Sequence, residues 1–241
     1  MGLVDLHSHI LPGLDDGSRS LAESMEMITG LASLGYEIVC ATPHQKAGQF
    51  LPSLEDIRTA HQVILEEIGT STVEVTIPLA AENMWDSVFY ERFQEDRIPG
   101  YDGSRTFLVE FSPGALPVGL LEHLFRLRTL GRLPVVAHPE RYEILWKDEQ
   151  MLQDMAEQCA MVVDLGAVAG YHGRRQAKAA RKMLEQGIAH AAASDSHSTA
   201  DIRVAAEGIA WIRKKLGASA MRRLLDDNPR RILAGEYPDR S

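Results

Sequence analysis

The stretch VDLHSHILPGLDDG, residues 4–17, joins a short apolar segment to a loop that carries histidines and aspartates. Side chains alternate along a strand, so His7 and His9 lie on the same side of the chain. An H-x-H pattern at the end of a strand can offer two imidazoles to one metal ion. Alone, however, this pattern does not establish a metal site, which requires further ligands from other parts of the chain.

The chain repeats the order of strand, loop and helix, which is typical of parallel strands with crossover helices. Ser20 and Glu23 fit a capping box before the first helix, and Gly35 fits its end. Ser53 is a candidate cap for the second helix, and Gly69 a candidate stop. We predict strands at 3–6, 37–41, 73–80, 106–111, 134–137, 161–165 and 189–193. We predict helices near 20–34, 54–68, 119–130, 149–159, 174–186, 199–216 and 218–226.

No linker, low-complexity segment or charge block divides the chain, so we expect residues 1–241 to form one domain. Seven strand–helix units favour a barrel-like α/β fold. An open, doubly wound sheet is the structural alternative.

Potential metal ligands follow six of the predicted strands. In a parallel barrel the carboxyl ends of the strands converge on one face, where active sites are found. The candidates at these ends are His7, His9, His44, Glu82, Glu110, His138, Asp195 and His197. Imidazole and carboxylate together suit zinc, manganese, iron and related divalent ions. Eight candidates are too many for one tetrahedral ion, so we predict two or three metals that share bridging carboxylates.

Other histidines have no such context. We interpret those in predicted helices or loops as ordinary surface or core residues: His61, His123, His172 and His190. Asp164, within the sixth predicted strand, is interpreted as a structural or site-lining carboxylate.

The net charge of −9 makes nucleic acid a poor default partner, and an anionic substrate would need local cations such as arginines or metals. We interpret Cys40 and Cys159 as buried, reduced thiols. No secretory signal and no apolar run of about 18 residues is present, so we expect a cytoplasmic protein without membrane insertion.

Several other hydrolase chemistries lack their motifs. Cysteine-dependent phosphatases need an arginine six positions after the cysteine, where this chain has Lys46 and Leu165. No D-x-D follows a strand, and the P-loop and the G-x-S-x-G elbow are both absent.

The opening VDLHSHILPGLDDGSRSLAESMEM, residues 4–27, resembles the PHP (polymerase and histidinol phosphatase) superfamily. More narrowly, it is similar to the manganese-dependent tyrosine-protein phosphatases of bacterial capsule and exopolysaccharide operons. The matching motifs cover nearly the whole chain: ATPH at 41–44, AHPER at 137–141, a glycine-rich segment at 166–173, SDSH at 194–197 and NPRRIL at 228–233.

This resemblance implies a distorted (β/α)7 TIM-like barrel of the PHP type. It implies a metal shell of His7, His9, Asp16, His44, Glu82, Glu110, His138, Asp195 and His197. Arg141 matches the phosphate-binding arginine, and Arg203 matches a second substrate-binding arginine. Manganese is the family metal, although zinc or iron fits the ligand types as well. The implied partner is a phosphotyrosine protein such as a bacterial tyrosine autokinase.

Two positions depart from the family pattern. Gln45 stands where a second histidine often follows ATPH, and Glu82 lies in AAENMW rather than in a G-x-E-I/V motif. These differences leave the metal shell intact but bear on the protein substrate and on the mouth of the site.

The hypothesis from the sequence is hydrolysis of a phosphomonoester, most plausibly protein phosphotyrosine. A metal-activated hydroxide would attack phosphorus without a phosphoenzyme. Arg141, Asp195 and His138 are the predicted catalytic residues, with Asp195 or a metal-coordinated histidine protonating the leaving group. The alternatives are a small-molecule phosphatase acting on histidinol phosphate, nucleotides or sugar phosphates, a non-catalytic metal-binding module, and an amidohydrolase. The last usually has a metal-bridging lysine where this chain has Glu110.

Overall fold

The first strand–helix–strand unit brings His7 and His9 to the end of a buried strand. In the computed structural model, which describes residues 2–102 and 104–239, β1 (Leu3–Ser8) pairs in parallel with β2 (Tyr36–Ala41). Between them lies α1 (Leu21–Ser33), capped by the Ser20 hydroxyl, which accepts from the Glu23 backbone N–H at 3.2 Å. The capping box is only half formed, because the Glu23 carboxylate accepts from Arg19 instead. Gly35 follows the helix with a φ of 96°, as a helix stop requires.

The next segment differs most from prediction. β3 (His44–Gln45) is followed by α2 (Leu54–Thr70), which has a complete Ser53 capping box but continues through Gly69. The predicted strand at 73–80 is wrong: only isolated bridges at Thr76 and Leu79 pair with β2, and β4 (Glu82–Met84) comes after it. The short α3 (Ser87–Gln94), which we did not predict, leads to β5 (Thr106–Glu110).

The second half follows the predicted strand–helix order closely. Its elements are α4 (Leu120–Thr129), β6 (Leu133–Ala137), a 3-10 turn (Pro139–Arg141), α5 (Glu143–Lys147), α6 (Glu149–Gln158), β7 (Ala160–Asp164), α7 (Leu165–Ala169), α8 (Arg174–Glu185), β8 (Ala191–Ala193), α9 (Thr199–Arg222), a π-helical turn (Arg223–Asp227) and α10 (Asn228–Leu233). Gly217, with a φ of 89°, breaks α9 where we predict a boundary between two helices.

The sheet topology confirms a mixed α/β fold with parallel strands. Within residues 2–102 and 104–239 there are eight strands rather than the predicted seven: β1 and β2 form one sheet, and β3 to β8 form a second in chain order. Every strand pair is parallel. Consecutive carboxyl ends therefore lie side by side.

Both faces of the strands are buried, which is typical of parallel sheets. Alternate residues such as Val4 and Leu6, or Val135 and Ala137, pack with one another in a small cluster. Their neighbours, such as Val136 and Val163, join a larger cluster that includes the helices.

Cys40 and Cys159 are buried, as expected, and neither forms a disulfide bond within the described residues. In the described part of the chain, no helix has both the length and the apolar character needed to cross a bilayer.

Candidate metal centre

The ends of β1 and β8 meet and set four of the predicted ligands side by side. The Asp195 N–H donates to the His7 carbonyl at 2.9 Å, and the His9 N–H donates to the Ser196 carbonyl at 2.9 Å. This pairing connects the H-x-H and D-x-H motifs, which are almost 190 residues apart in the sequence. The His9 and His197 rings stack with their centroids 4.0 Å apart.

Glu82 lies at the centre of the histidines. Its Oε2 atom is 2.9 Å from His44 Nδ1, 3.3 Å from His7 Nε2 and 3.4 Å from His9 Nε2. Its Oε1 atom is 2.8 Å from His138 Nε2. The four imidazoles come from β1 and its end, from β3 and from the end of β6. A carboxylate whose two oxygens face four imidazoles is placed as a bridging ligand would be.

All nine residues predicted as ligands lie in this cluster. Their donor atoms form four overlapping groups with distances below 4.8 Å: His9, Asp16, His44 and His197; His7, His9 and Asp195; His7, Glu82 and His138; His44, Glu82 and Glu110. The structure thus brings the nine side chains together, while metal binding by them stays a prediction.

The hydrogen bonding of the cluster fits a site for cations. His7 Nε2 and His9 Nε2 face each other at 3.1 Å, and both are close to Asp195 Oδ1. Three buried atoms of the predicted metal ligands have no hydrogen-bond partner among the described residues: His44 Nδ1, Glu110 Oε1 and Asp195 Oδ1. A buried polar atom without a partner is costly, and a bound divalent ion would satisfy these atoms.

The backbone is strained at two of the ligands. His138 and Asp195 have φ values of 34° and 48°, in the left-handed region that non-glycine residues seldom adopt. Such strain persists only where the surroundings hold it in place, and it concentrates at functional sites.

Charges in the metal-free cluster compensate one another. Burial alone would lower the pKa of His44, but the nearby carboxylates of Glu110 and Glu82 raise that pKa to about 10. Burial would raise the pKa of Glu82, but His7 and His138 hold it well below its usual range. The pKa values of His7 and His9 are also raised by neighbouring carboxylates, so without metal the protons on His7, His9 and His44 balance the ionised carboxylates.

Asp15 was missed by the sequence analysis, which followed the resemblance to Asp16. Asp16 is half exposed, with Oδ1 3.4 Å from His44 Nε2. Asp15 is buried and accepts from His9 Nδ1 at 2.9 Å and from the His44 backbone N–H at 2.9 Å. Asp15 thus orients one predicted ligand and anchors the backbone of another. Two consecutive aspartates in the motif gave no signal as to which one faces inward.

Gln45, which replaces the second histidine of the family motif, has a structural role. It is buried, and its side-chain amide donates to the carbonyl groups of His44 and Pro52.

Arg141 lies at the edge of the cluster. Its Nη2 atom donates to Asp164 Oδ2 at 2.9 Å and to Asp195 Oδ2. The cavity over the nine ligands has a volume of about 240 Å³, and Arg141 lines it together with Lys46, Phe111 and Pro113. Arg203 is exposed on α9 and is not among the residues that line this cavity, so its role in substrate binding stays a prediction.

A second cavity, of about 360 Å³, adjoins the first, and Arg141, Asp195 and His197 line both. Asp164, Tyr171 and His172 also line it. His172 is therefore not the isolated loop residue that the sequence suggested, because its Nε2 is 2.6 Å from Asp164 Oδ2.

The remaining histidines lie outside these groups. His61 Nε2 is 2.7 Å from the Ile77 carbonyl, and His190 Nδ1 accepts from the Met161 N–H at 3.1 Å. His123 lines a surface cavity with Tyr90 and Phe93.

Comparison with known proteins places the chain in a family. The profile of the family described as capsular polysaccharide synthesis, CpsB/CapC, matches residues 3–234. Among curated relatives, the tyrosine-protein phosphatase CpsB of Streptococcus pneumoniae is 29% identical over 246 residues, covering 96% of this chain and 98% of its own. The tyrosine-protein phosphatase YwqE of Bacillus subtilis is 24% identical over 239 residues, covering 97% and 92%.

Solved structures agree on the fold. A crystal structure from a study of YwqE of Bacillus subtilis and CpsB of Streptococcus pneumoniae, described there as unique metal-dependent tyrosine phosphatases, superposes with a TM-score of 0.90 at 22% identity, covering 99% of this chain and 97% of that one. A dihydropyrimidinase from Brevibacillus agri gives 0.52 at 11% identity, covering 98% and 72%, which shows a shared fold alone.

The match over almost the entire chain confirms the resemblance drawn from the motifs: the chain belongs to the CpsB/CapC family of capsular polysaccharide synthesis.

Proposed function

We propose that this chain is a metal-dependent tyrosine-protein phosphatase. One observation carries the proposal: nine imidazole and carboxylate side chains converge in one cluster, seven of them lining a single cavity with the guanidinium of Arg141. The curated relatives named above are tyrosine-protein phosphatases that align over nearly the full length of both chains.

We propose two or three divalent ions in this cavity, with manganese as the first candidate. The four overlapping donor groups and the central position of Glu82 support more than one ion. Zinc or iron fits the same donor types, and metal analysis of the purified protein by mass spectrometry would identify the ion.

Bound ions would activate a water molecule for attack on phosphorus and neutralise the phosphate charge. The protein supplies the geometry around them. Tyr142 Oη, 3.3 Å from His138 Nδ1, orients that imidazole so that Nε2 faces the cluster. Asp164 and Asp195 fix Arg141 from one side, so its planar guanidinium can present its remaining N–H groups to the phosphate oxygens.

The test uses metal-loaded protein and phosphotyrosine peptides from neutral to alkaline pH. We expect hydrolysis that EDTA abolishes and that His138→Ala removes, because His138 is one of the buried donors. His123→Ala is the matched control, since His123 lines a separate cavity and should leave the rate unchanged. A metal-loaded wild-type protein without activity would refute the proposal.

The main alternative is a small-molecule phosphatase of the same superfamily, which would use the same metals. Comparing kcat/KM for phosphotyrosine peptides with that for histidinol phosphate, nucleotides and sugar phosphates separates the two. A non-catalytic module would bind metal without turnover.

We further infer that the two sheets close into a distorted barrel and that residues 1–241 form a single domain. The parallel bridge between Ser8 and Ser196, and the hydrogen bond from Tyr101 Oη to the Leu6 carbonyl at 2.8 Å, support closure. The larger hydrophobic cluster, which extends from Leu3 to Leu225, supports one domain.

We also propose that the natural substrate is a bacterial tyrosine autokinase and that the activity regulates capsule or exopolysaccharide synthesis. Membership in a capsular polysaccharide family supports this proposal. Dephosphorylation of the kinase encoded in the same operon would test it. The cytoplasmic location stays a prediction.

A further inference from the structure

The end of β7 carries a buried carboxylate that holds two cationic side chains. Only 2% of the Asp164 side chain is exposed. Its Oδ2 atom is 2.9 Å from Arg141 Nη2 and 2.6 Å from His172 Nε2, and its Oδ1 atom accepts from the Gly166 N–H at 2.6 Å. Asp164 therefore ties His172 to the arginine that we expect to bind phosphate.

His172 lies on the turn between α7 and α8, where Gly170 and Gly173 both have positive φ values. Its side chain is 35% exposed and lines the second cavity. Because Nε2 faces Asp164, Nδ1 is the ring nitrogen left for a ligand in that cavity.

The two cavities meet at Arg141, Asp195 and His197. In phosphoryl transfer the attacking and leaving oxygens lie roughly in line on opposite sides of phosphorus. A phosphate held at Arg141 would border both cavities, so water in the first cavity and the leaving oxygen in the cavity that His172 lines would satisfy this arrangement.

The sequence suggested Asp195 or a metal-coordinated histidine as the proton donor, but the contacts of Asp195 argue against that role. Its Oδ1 atom faces His7 Nε2 and His9 Nε2 at 3.2 and 3.5 Å, and its Oδ2 atom accepts from Arg141. Neither oxygen is free to carry a proton to the substrate.

We propose that His172 is a catalytic residue that donates the Nδ1 proton to the leaving phenolic oxygen of phosphotyrosine. This inference rests on the proposed phosphatase function. As the water oxygen bonds to phosphorus, the bond between phosphorus and the phenolic oxygen breaks and its electron pair moves to that oxygen, while the protons of the water leave with the inorganic phosphate or pass from it to solvent. The proton of His172 then gives neutral tyrosine, and the neutral imidazole regains a proton from solvent.

The charges around His172 favour its protonated form. The hydrogen bond with Asp164 raises the pKa of His172, and so does the charge of Asp195, whereas burial and the charge of Arg141 lower it; the net shift is upward. A protonated imidazole at neutral pH is what proton donation needs. The Tyr171 ring contacts His172 edge-on at 5.5 Å but bears no charge.

The test is a series of aryl phosphates, from 4-nitrophenyl phosphate, whose phenol is acidic, to phenyl phosphate and phosphotyrosine, whose phenols are weak acids. We expect His172→Gln to reduce kcat/KM for phenyl phosphate and phosphotyrosine by about 10²- to 10⁴-fold, and that for 4-nitrophenyl phosphate much less. The dependence of log kcat/KM on the pKa of the leaving phenol becomes steeper. His172→Asn should behave alike, and His123→Gln is the matched control with the wild-type slope, because His123 lines a separate cavity.

All three variants are first compared with wild type for metal content and melting temperature. An equal loss of kcat/KM for every substrate would overturn the proposal, because it would indicate binding or support of the cavity. No loss at all would overturn it too. Failure of the wild-type protein on the whole series would instead refute the phosphatase function itself.

Discussion

Asp15→Asn changes one atom of a side chain that we place behind the metal ligands. The carboxylate accepts from His9 Nδ1 and the His44 N–H, both at 2.9 Å, and from the Gly17 N–H at 3.0 Å. Asparagine has one acceptor oxygen and one NH₂ group. In either rotamer the NH₂ group faces a donor, so at least one of these hydrogen bonds is lost.

Hydrogen bonds to a charged group contribute about 1.5–3 kcal/mol each. We therefore expect the free energy of unfolding to fall by about 2–4 kcal/mol. The lower value corresponds to the loss of one hydrogen bond and the upper value to the loss of two. The hydrogen bond from His9 Nδ1, which asparagine either loses or accepts more weakly than a carboxylate does, fixes the His9 tautomer with the lone pair of Nε2 toward the cluster. Loss of such an orienting partner weakens metal affinity by about 10- to 100-fold.

The assay is a titration of metal-free protein with Mn²⁺. Binding is measured by calorimetry and by the recovery of phosphatase activity. Asp148→Asn is the matched control: it makes the same chemical change at the cap of α6, where Asp148 Oδ1 accepts from the Met151 N–H. Asparagine caps helices as well as aspartate does, so this control should keep wild-type stability and affinity.

A wild-type Mn²⁺ affinity in folded Asp15→Asn would refute the reasoning, because the ligand geometry would then not depend on this carboxylate. An equal loss of affinity in Asp148→Asn would do the same, since the effect would follow net charge alone.

Arg141→Lys should lower kcat/KM for a phosphotyrosine peptide by about 10- to 100-fold, because a point charge replaces a planar fork of donors; unchanged steady-state kinetics would contradict this. Metal binding should release protons, because the raised pKa of His44 (about 10) keeps that imidazole charged in the metal-free protein at neutral pH. Its stabilising charge is fully present below the ordinary histidine pKa and is lost as the pH rises through the raised value. Calorimetry in buffers of different ionisation enthalpy measures this release, and a heat that does not depend on the buffer would count against it. Gly208→Ala should destabilise the protein by about 1–3 kcal/mol, because a Cβ there would collide with the Leu165 carbonyl oxygen. Gly69→Ala should instead stabilise the protein by about 0.5–1 kcal/mol, because Gly69 lies within α2 and no atom is near the position of its added Cβ. Thermal melts that rank the Gly208 and Gly69 variants in the opposite order would show the packing argument to be wrong.

The strand ends were readable from the sequence because each combines a short apolar run with a reactive side chain. His138 follows β6 as predicted, and Asp195 follows β8. The exception is Glu82, which begins β4 instead of following a strand at 73–80. Apolar residues in 73–80 pack on the core without forming a continuous ladder, and periodicity does not distinguish these cases.

Helix capping was predictable where it depends only on neighbouring residues. It was less predictable where another side chain competes for the capping carboxylate. Ser53 forms its complete box, whereas Glu23 pairs with Arg19 instead of closing the box at Ser20. The number of strands was also missed, since β3 has only two residues and carries no pattern of its own.

The metal-dependent chemistry could be predicted from the motifs alone, because ligand types, motif spacing and the absence of a cysteine nucleophile are local properties of the chain. Which neighbours orient those ligands became visible in the folded chain. Asp15 rather than Asp16 faces His9, and His172 shares Asp164 with Arg141. The physical reason is that these contacts depend on loop conformations and on strand ends far apart in the chain, and no residue pattern specifies which side of a loop is buried.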